Sequence, residues 1–260
     1  MGRFDWLEFK GEKPKDILLD KEEDFDCRHY LQQAERAYRY GAYETALKKY
    51  ARALREDPLL WEAWFGQVNC LLEIGELLEA RTWSNKALER IPQSPELLSA
   101  KALVLARLAE YPDAMTLSDR AIAKKDPSPV VWLQRGLLML ALQPPGNAAY
   151  CFLKAEEGAP NDSFLPLRIG LAYVGHGNFP RAKPYLDQAV QRDSSNPLAW
   201  YTMGKCFEGL FAETRAAECY EQALTLQPEF REQVVDDLCR VRRRGGLWKR
   251  ICDVFRKRTR

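Results

Sequence analysis

Alanine recurs at two positions of this chain with a fixed period of 34 residues. A small side chain that returns at a regular place is typical of a point where two packed helices approach closely. Six copies of both positions, in unbroken register, indicate one structural unit repeated six times. The first position holds Ala46, Ala80, Ala114, Ala148, Ala182 and Ala216, and the second holds Ala53, Ala87, Ala121, Ala155, Ala189 and Ala223.

The last copy of the unit has the most complete spacing. Its intervals predict two short helices packed as a hairpin, with aromatic side chains as knobs and Gly or Ala as points of close approach. A proline then ends the unit. These residues are Trp200, Gly204, Phe207, Ala216, Tyr220, Ala223 and Pro228. In steps of 34 residues before Trp200, the position equivalent to Trp200 holds Pro166, Trp132, Leu98, Trp64 and Tyr30.

This pattern resembles that of the tetratricopeptide repeat family over residues 27–228. The resemblance implies an all-α, right-handed superhelical solenoid of six helical hairpins plus a C-terminal capping helix. It is specific for the fold and much less so for function, because the family is defined by packing positions and not by a catalytic site.

The repeat register predicts four segments. Residues 1–26 form an N-terminal extension, residues 27–228 the six repeats, residues 229–244 the capping helix and residues 245–260 a basic amphipathic tail. After Pro228, the apolar register continues at Val234, Leu238 and Val241. We expect a helix there, because the last hairpin would otherwise expose its apolar face.

In the family that this chain resembles, the first helices of successive hairpins line a groove that holds a peptide or another protein. The packing positions place a set of side chains in this groove, and its middle, in repeats three to five, is expected to be an open apolar strip. A shift of the phase by one residue would instead bury these leucines between helices. The predicted groove residues are Phe65, Asn69, Leu72, Leu103, Arg107, Leu133, Leu137, Leu140, Phe164, Leu167, Arg168, Leu171, Tyr201 and Lys205.

Chaperone-binding members of the family hold a C-terminal carboxylate with a set of Lys, Asn and Arg side chains on these helices. Leu31 and Glu35 stand where the first Lys and Asn of that set would be. The resemblance therefore disfavours that specialised role.

The N-terminal extension contains an apolar motif, FDWLEF, outside the repeat register. We expect Phe4, Trp6, Leu7 and Phe9 to dock on the solenoid, either in the chain's own groove or in that of a neighbouring molecule, which would be self-association. The connecting residues suffice for this, because an extended chain spans about 3.3–3.6 Å per residue. The alternative is that the motif is a short linear ligand for a different protein.

Charge is distributed unevenly along the chain. Residues 240–260 carry ten Lys or Arg and one acid, Asp253, whereas the other residues carry 29 basic and 36 acidic side chains. A basic tail with apolar residues at helical spacing is typical of segments that contact nucleic acid or an anionic membrane. The tail residues singled out are Arg242, Arg243, Arg244, Lys249, Arg250, Arg256, Lys257 and Arg258.

The sequence contains none of the phosphate-binding, dinucleotide-binding, zinc-protease or serine-hydrolase motifs. We therefore predict no catalytic residue, cofactor, metal ion or small-molecule substrate. Seven scattered cysteines favour a reducing compartment. The start lacks a signal-peptide pattern, and no long apolar run is present, so we expect a cytoplasmic protein.

The sequence thus favours a non-enzymatic protein-interaction scaffold. Its predicted ligand is an apolar or amphipathic segment of another protein, bound in the groove. The alternative function is an adaptor that attaches to nucleic acid or to an anionic membrane surface through the basic C-terminal tail.

Overall fold

The computed structural model of the chain describes residues 26–142, 147–227 and 234–244. Every regular element within these ranges is an α-helix, and successive helices are joined by short turns. The chain divides into two compact units, Met1–Gly158 and Ala159–Arg260, which we call unit 1 and unit 2. The fold is an all-α helical repeat, as the alanine register predicts.

In the part of the chain that the structure describes, consecutive helices pair as six hairpins, four in unit 1 and two in unit 2. Unit 1 contains α1 (Cys27–Arg39), α2 (Tyr43–Glu56), α3 (Trp61–Ile74), α4 (Leu77–Arg90), α5 (Pro95–Arg107), α6 (Tyr111–Ile122), α7 (Pro129–Ala141) and α8 (Ala148–Gly158). Unit 2 contains α9 (Phe164–Gly175), α10 (Phe179–Arg192), α11 (Pro197–Gly209) and α12 (Glu213–Leu226).

The starts of several helices follow from local sequence. Ser94 accepts a hydrogen bond from the backbone N–H of Leu97 at 3.3 Å, and Pro95 opens α5. Asn196 caps α11 in the same way before Pro197. A polar cap satisfies a backbone donor that the helix leaves unpaired, and proline loses nothing at a first position.

The core lies where the two helices of each hairpin approach each other. All twelve register alanines are at most 4% exposed. In α7, a Cβ added to Gly136 would lie 2.3 Å from the ring of Phe152 on α8, and Gly204 meets Tyr220 in the same way. The repeat register is therefore a packing register, as predicted.

In five of the six hairpins the turn between the helices has a left-handed backbone at an equivalent position, and the turn of the fourth lies outside the described residues. Gly41, Gly75 and Gly177 have φ values of 84°, 90° and 69° there. Ala109 and Phe211 occupy the same turn position in their repeats, with φ values of 63° and 59°. Glycine adopts this conformation without strain, whereas a residue with a Cβ does not.

After the sixth hairpin, residues 234–244 are helical, and we call this stretch α13. Val234, Leu238 and Val241 are buried, which is the apolar pattern expected of the capping helix. The predicted segment boundaries at residues 26, 228 and 244 stay predictions, as does the right-handed winding. The division into units falls between the fourth and fifth hairpins.

Substitution of Gly136 by alanine tests the close approach. We expect Gly136→Ala to lower the free energy of unfolding by about 1–3 kcal/mol, because the new methyl group overpacks against the fully buried Phe152. Chemical denaturation followed by circular dichroism measures the change. The control is Gly175→Ala at the end of α9, where a Cβ meets no atom within 4 Å. Equal effects of the two substitutions would contradict the packing assignment.

Candidate functional site

The predicted groove residues lie on the odd-numbered helices, on a side that we call the first-helix face of each unit. In unit 1 they lie on α3, α5 and α7, and their exposure differs widely. Phe65, Leu137 and Leu140 are half-buried, Arg107 is exposed, and Asn69, Leu72, Leu103 and Leu133 are buried.

The open apolar strip expected on this face does not include Leu103 and Leu133, which are 3% and 9% exposed. The physical reason lies in α5, which packs against both α3 and α7. Ser99, Ala102 and Ala106 give α5 a narrow surface, and all three are buried. Small side chains on α5 let α3 and α7 approach closely, and this close approach covers Leu103 and Leu133.

A direct hydrogen bond links the two helices that flank α5. The side-chain Nε2 of Gln134 on α7 donates to Oδ1 of Asn69 on α3 at 2.9 Å, and both residues are buried. The amide of Asn69 also donates to the carbonyl of Phe65, one turn earlier, at 2.8 Å. Asn69 thus connects α3 with α7, the first helices of the second and fourth hairpins. Its side-chain amide is already used by hydrogen bonds within unit 1.

In unit 2 the predicted groove residues lie on α9 and α11. Leu167 and Arg168 are buried, while Phe164, Leu171, Tyr201 and Lys205 are half-buried. The α9 part of this face is therefore apolar where it is accessible, and the α11 part is polar. Lys205 also lies over the ring of Tyr201, with Nζ 5.2 Å from the ring centroid.

The polar part of this face is paired with α13. The hydroxyl of Tyr201 donates to Asp237 Oδ2 at 2.9 Å, and Lys205 Nζ lies 3.5 Å from the same oxygen. Asp237 is buried and also pairs with Arg240. Because a buried carboxylate needs such partners, these contacts fix α13 on the end of unit 2.

Glu208 forms the second centre of this network. Its carboxylate accepts hydrogen bonds from Arg240 at 2.8 and 3.0 Å, from Arg244 at 3.2 Å and from the Tyr220 hydroxyl at 3.0 Å. The hydrogen bond from Arg240 lowers the pKa of Glu208, although partial burial opposes the shift. Burial and the neighbouring Glu208 charge raise the pKa of Tyr220. The carboxylate therefore stays charged and the phenol neutral at physiological pH.

The three described residues of the basic tail lie at the end of α13. Arg242, Arg243 and Arg244 are exposed. Arg242 pairs with Glu221 of α12 at 2.5 Å, and Arg244 pairs with Glu208. Lys249, Arg250, Arg256, Lys257 and Arg258 lie outside the described residues, as do Phe4, Trp6, Leu7 and Phe9 of the N-terminal motif.

Sequence reasoning missed the partners that hold these side chains. Gln134 is a buried amide in α7, a helix with a single charged residue, and that contrast was a usable signal. In the sequence, Asp237 and Arg240 of the capping helix resemble ordinary solvent-facing charges between its apolar positions. Their pairing with Tyr201 and Glu208 depends on three-dimensional proximity, which one sequence does not reveal.

Two cysteines of unit 2, Cys206 and Cys219, are buried. Burial raises the pKa of the Cys206 and Cys219 thiols to about 11, so both are protonated and unreactive. Among residues 26–142, 147–227 and 234–244, no three His, Cys, Asp or Glu side chains are grouped as metal ligands. Over the same ranges, no helix has the length and apolar character needed to cross a membrane.

Comparison with known proteins gives a matching family model and several similar structures. The family model described as "Tetratricopeptide repeat" matches residues 31–95 and 167–229. A crystal structure of a tetratricopeptide repeat protein from Parabacteroides merdae is similar, with a TM-score of 0.55 and 19% identity. The similarity covers 83% of this chain and 84% of that one.

Two similar proteins are named as parts of larger assemblies. The anaphase-promoting complex subunit 3 of Schizosaccharomyces pombe is 24% identical over 190 residues, which are 73% of this chain and 27% of that protein. This chain thus spans about a quarter of that relative's length. A chain from an APC/C hetero-tetramer has a TM-score of 0.51 and 15% identity, and the match covers 87% of this chain and 44% of that chain.

Glutamine in place of Glu208 tests the ionic network on unit 2. The native pKa of Glu208 is lowered, so its charge stabilises the fold above the ordinary glutamate pKa, and this contribution is lost as the pH falls through the native value. We expect Glu208→Gln to destabilise unit 2 by about 1–3 kcal/mol at pH 7, and the difference from the parent protein to vanish in acid.

Thermal unfolding at several pH values measures this difference. The matched control is Glu221→Gln, which removes an exposed pair with Arg242 and is expected to cost only about 0–1 kcal/mol. A Glu208→Gln penalty that is unchanged at low pH would contradict the role assigned to the charge.

Proposed function

Because the chain belongs to the tetratricopeptide-repeat family, we propose that it is a non-enzymatic scaffold that recognises another protein. The proposed ligand is an apolar or amphipathic segment, bound on the first-helix faces. Such a segment binds by placing apolar side chains at regular spacing against helices that offer apolar side chains in return.

The observation that carries this proposal is the character of α7. The helix Pro129–Ala141 has one charged residue, Arg135, and that charge is paired with Asp119 at 2.8 Å. Leu137 and Leu140 nevertheless remain half-buried on a helix whose other leucines, Leu133 and Leu138, are buried. Partly accessible leucines on a nearly uncharged helix are a suitable apolar contact for a ligand. A ligand that covers them removes apolar surface that is still in contact with water.

Unit 2 favours an amphipathic ligand. Its first-helix face offers Phe164 and Leu171 on α9 and then the charged pair of Lys205 and Asp237 at α11 and α13. Because Tyr201 and Lys205 are already held by Asp237, a ligand would meet an ordered polar group at that end. Ordered groups lose less conformational entropy on binding.

The named role of one relative supports a binding function in general terms. The fission-yeast relative is a subunit of a multi-protein complex by its name, although the matching region is only 27% of its length. A repeat array within such a subunit is consistent with a scaffold role. The partner of the present chain does not follow from this similarity.

The alternative adaptor function has less support. Arg240, Arg242 and Arg244 are part of the basic C-terminal region, yet each pairs with an acid of unit 2. Charges neutralised inside the molecule add little to attraction for nucleic acid or anionic lipid. We therefore do not propose attachment through the tail as the main function.

Substitution of Leu140 tests the proposed binding face. We expect Leu140→Asp to abolish capture of the partner by the immobilised protein, since a carboxylate on the apolar face would be desolvated by the ligand. The control is Leu78→Asp on α4, a second helix, where the leucine is 72% exposed. A captured protein is identified by mass spectrometry and then titrated against both variants, and circular dichroism verifies folding. Equal binding by the two variants would refute the location.

The N-terminal motif belongs to the same proposal. We propose that Phe4, Trp6, Leu7 and Phe9 occupy a first-helix face and compete there with the partner, in the same molecule or a neighbouring one. Deletion of residues 1–26 should then raise partner affinity by about tenfold or more, because each buried side chain of this kind is worth about 1.5–3 kcal/mol before ordering costs. Isothermal titration measures the affinity. Unchanged affinity after the deletion would exclude the competing role.

A further inference from the structure

Phe211 is the most exposed large apolar side chain among the described residues, at 82%. It lies in the turn between α11 and α12, where its φ of 59° is in the left-handed region. A bulky residue in this conformation is strained, and the equivalent turns at Gly41, Gly75 and Gly177 use glycine. Neither backbone conformation nor burial within the described residues accounts for an aromatic ring here.

The last described residue, Arg244, is linked by its side chain to the end of α11, just before this turn. Its Nη1 lies 3.2 Å from Oε1 of Glu208. The backbone carbonyl of Glu208 accepts the N–H of Phe211 at 3.1 Å. Four further residues reach about 13–14 Å when extended, so residues 245–248 suffice to bring the following segment to the Phe211 ring.

The sequence of this segment matches the surface that it would meet. Residues 245–260 contain apolar side chains at helical spacing, namely Leu247, Ile251, Val254 and Phe255. They also contain six basic residues and one acid. The neighbouring helix α12 exposes the carboxylates of Glu218 and Glu221, and the latter already pairs with Arg242 from the same end of the chain.

The repeat register defines how this segment differs from another hairpin helix. Gly245 stands 34 residues after Phe211, at the turn position, so the register reaches the start of the segment. Arg250 and Lys257 then occupy the positions at which the six repeats carry alanine. The segment therefore lacks the alanines of the repeated packing, and a contact with the last hairpin would depend on its larger apolar side chains.

We propose that Phe211 is the receptor for the chain's own C-terminal segment, residues 245–260, with the segment's apolar side chains on the ring and its basic side chains towards α12. The contact covers an otherwise exposed aromatic ring and gives the basic segment an acidic partner inside the molecule. It also withholds the segment from external anionic surfaces. The proposal does not depend on the partner-binding role of the first-helix faces.

Hydrogen–deuterium exchange on the full-length protein tests the contact. A free peptide of residues 245–260 serves as the reference for unprotected amides. We expect amides 247–255 to exchange in the full chain at about one tenth of the peptide's rate or more slowly. Phe211→Gly should restore the peptide rate. Exchange at the peptide rate in the parent protein overturns the proposal and leaves Phe211 free for another molecule.

Two further variants separate the contact from effects on folding. Ala109→Gly makes the matching change at the equivalent turn of unit 1 and should leave the exchange of residues 247–255 unchanged. Ile251→Asp attacks the contact from the segment's side and should remove the protection. Glycine fits the turn at residue 211 without strain, so Phe211→Gly is expected to melt no lower than the parent protein. Protection that survives Phe211→Gly or Ile251→Asp overturns the assignment.

Discussion

The fold depends on how closely the two helices of each hairpin approach. In the fourth and sixth hairpins, a glycine of the first helix lies directly against an aromatic ring of the second, Gly136 against Phe152 and Gly204 against Tyr220. Each ring is fully buried and so has little freedom to move away. In the fifth hairpin Gly170 of the first helix lies in the same way against Leu186 of the second. A glycine on the first helix against a large apolar side chain on the second thus sets the distance in these three hairpins, and one packing solution recurs.

This constraint explains why the sequence predicts the architecture so well. The register alanines, the turn glycines and the apolar residues of α13 each perform a local packing or backbone task, and such tasks can be read from residue type and spacing. The side chains on the first-helix faces perform no repeated task. Whether Leu103 or Leu137 is accessible depends on how far α3 and α7 approach across α5, and that approach depends on Ser99 and on the Asn69–Gln134 hydrogen bond.

The same distinction applies at the C-terminal end. The apolar positions of α13 follow the repeat period, so the helix was predictable from Val234, Leu238 and Val241. Its polar attachments were not, because Asp237 and Arg240 resemble the solvent-facing charges of any amphipathic helix. In the structure they bind Glu208 and also Tyr201 and Lys205, two side chains that the resemblance to the family assigned to ligand binding.

That outcome bears on how binding surfaces in such arrays are assigned. A polar residue at a groove position that already pairs within its own chain offers a ligand less new contact than an apolar side chain that is still in contact with water. Asn69 is tied to Gln134, and Tyr201 and Lys205 are tied to Asp237, whereas Leu137 and Leu140 are only partly covered. A ligand gains most by covering apolar surface that is still in contact with water, and it must replace any polar contact that it breaks. The half-buried leucines of α7 are therefore a better surface for ligand recognition than the polar side chains of Asn69, Tyr201 and Lys205.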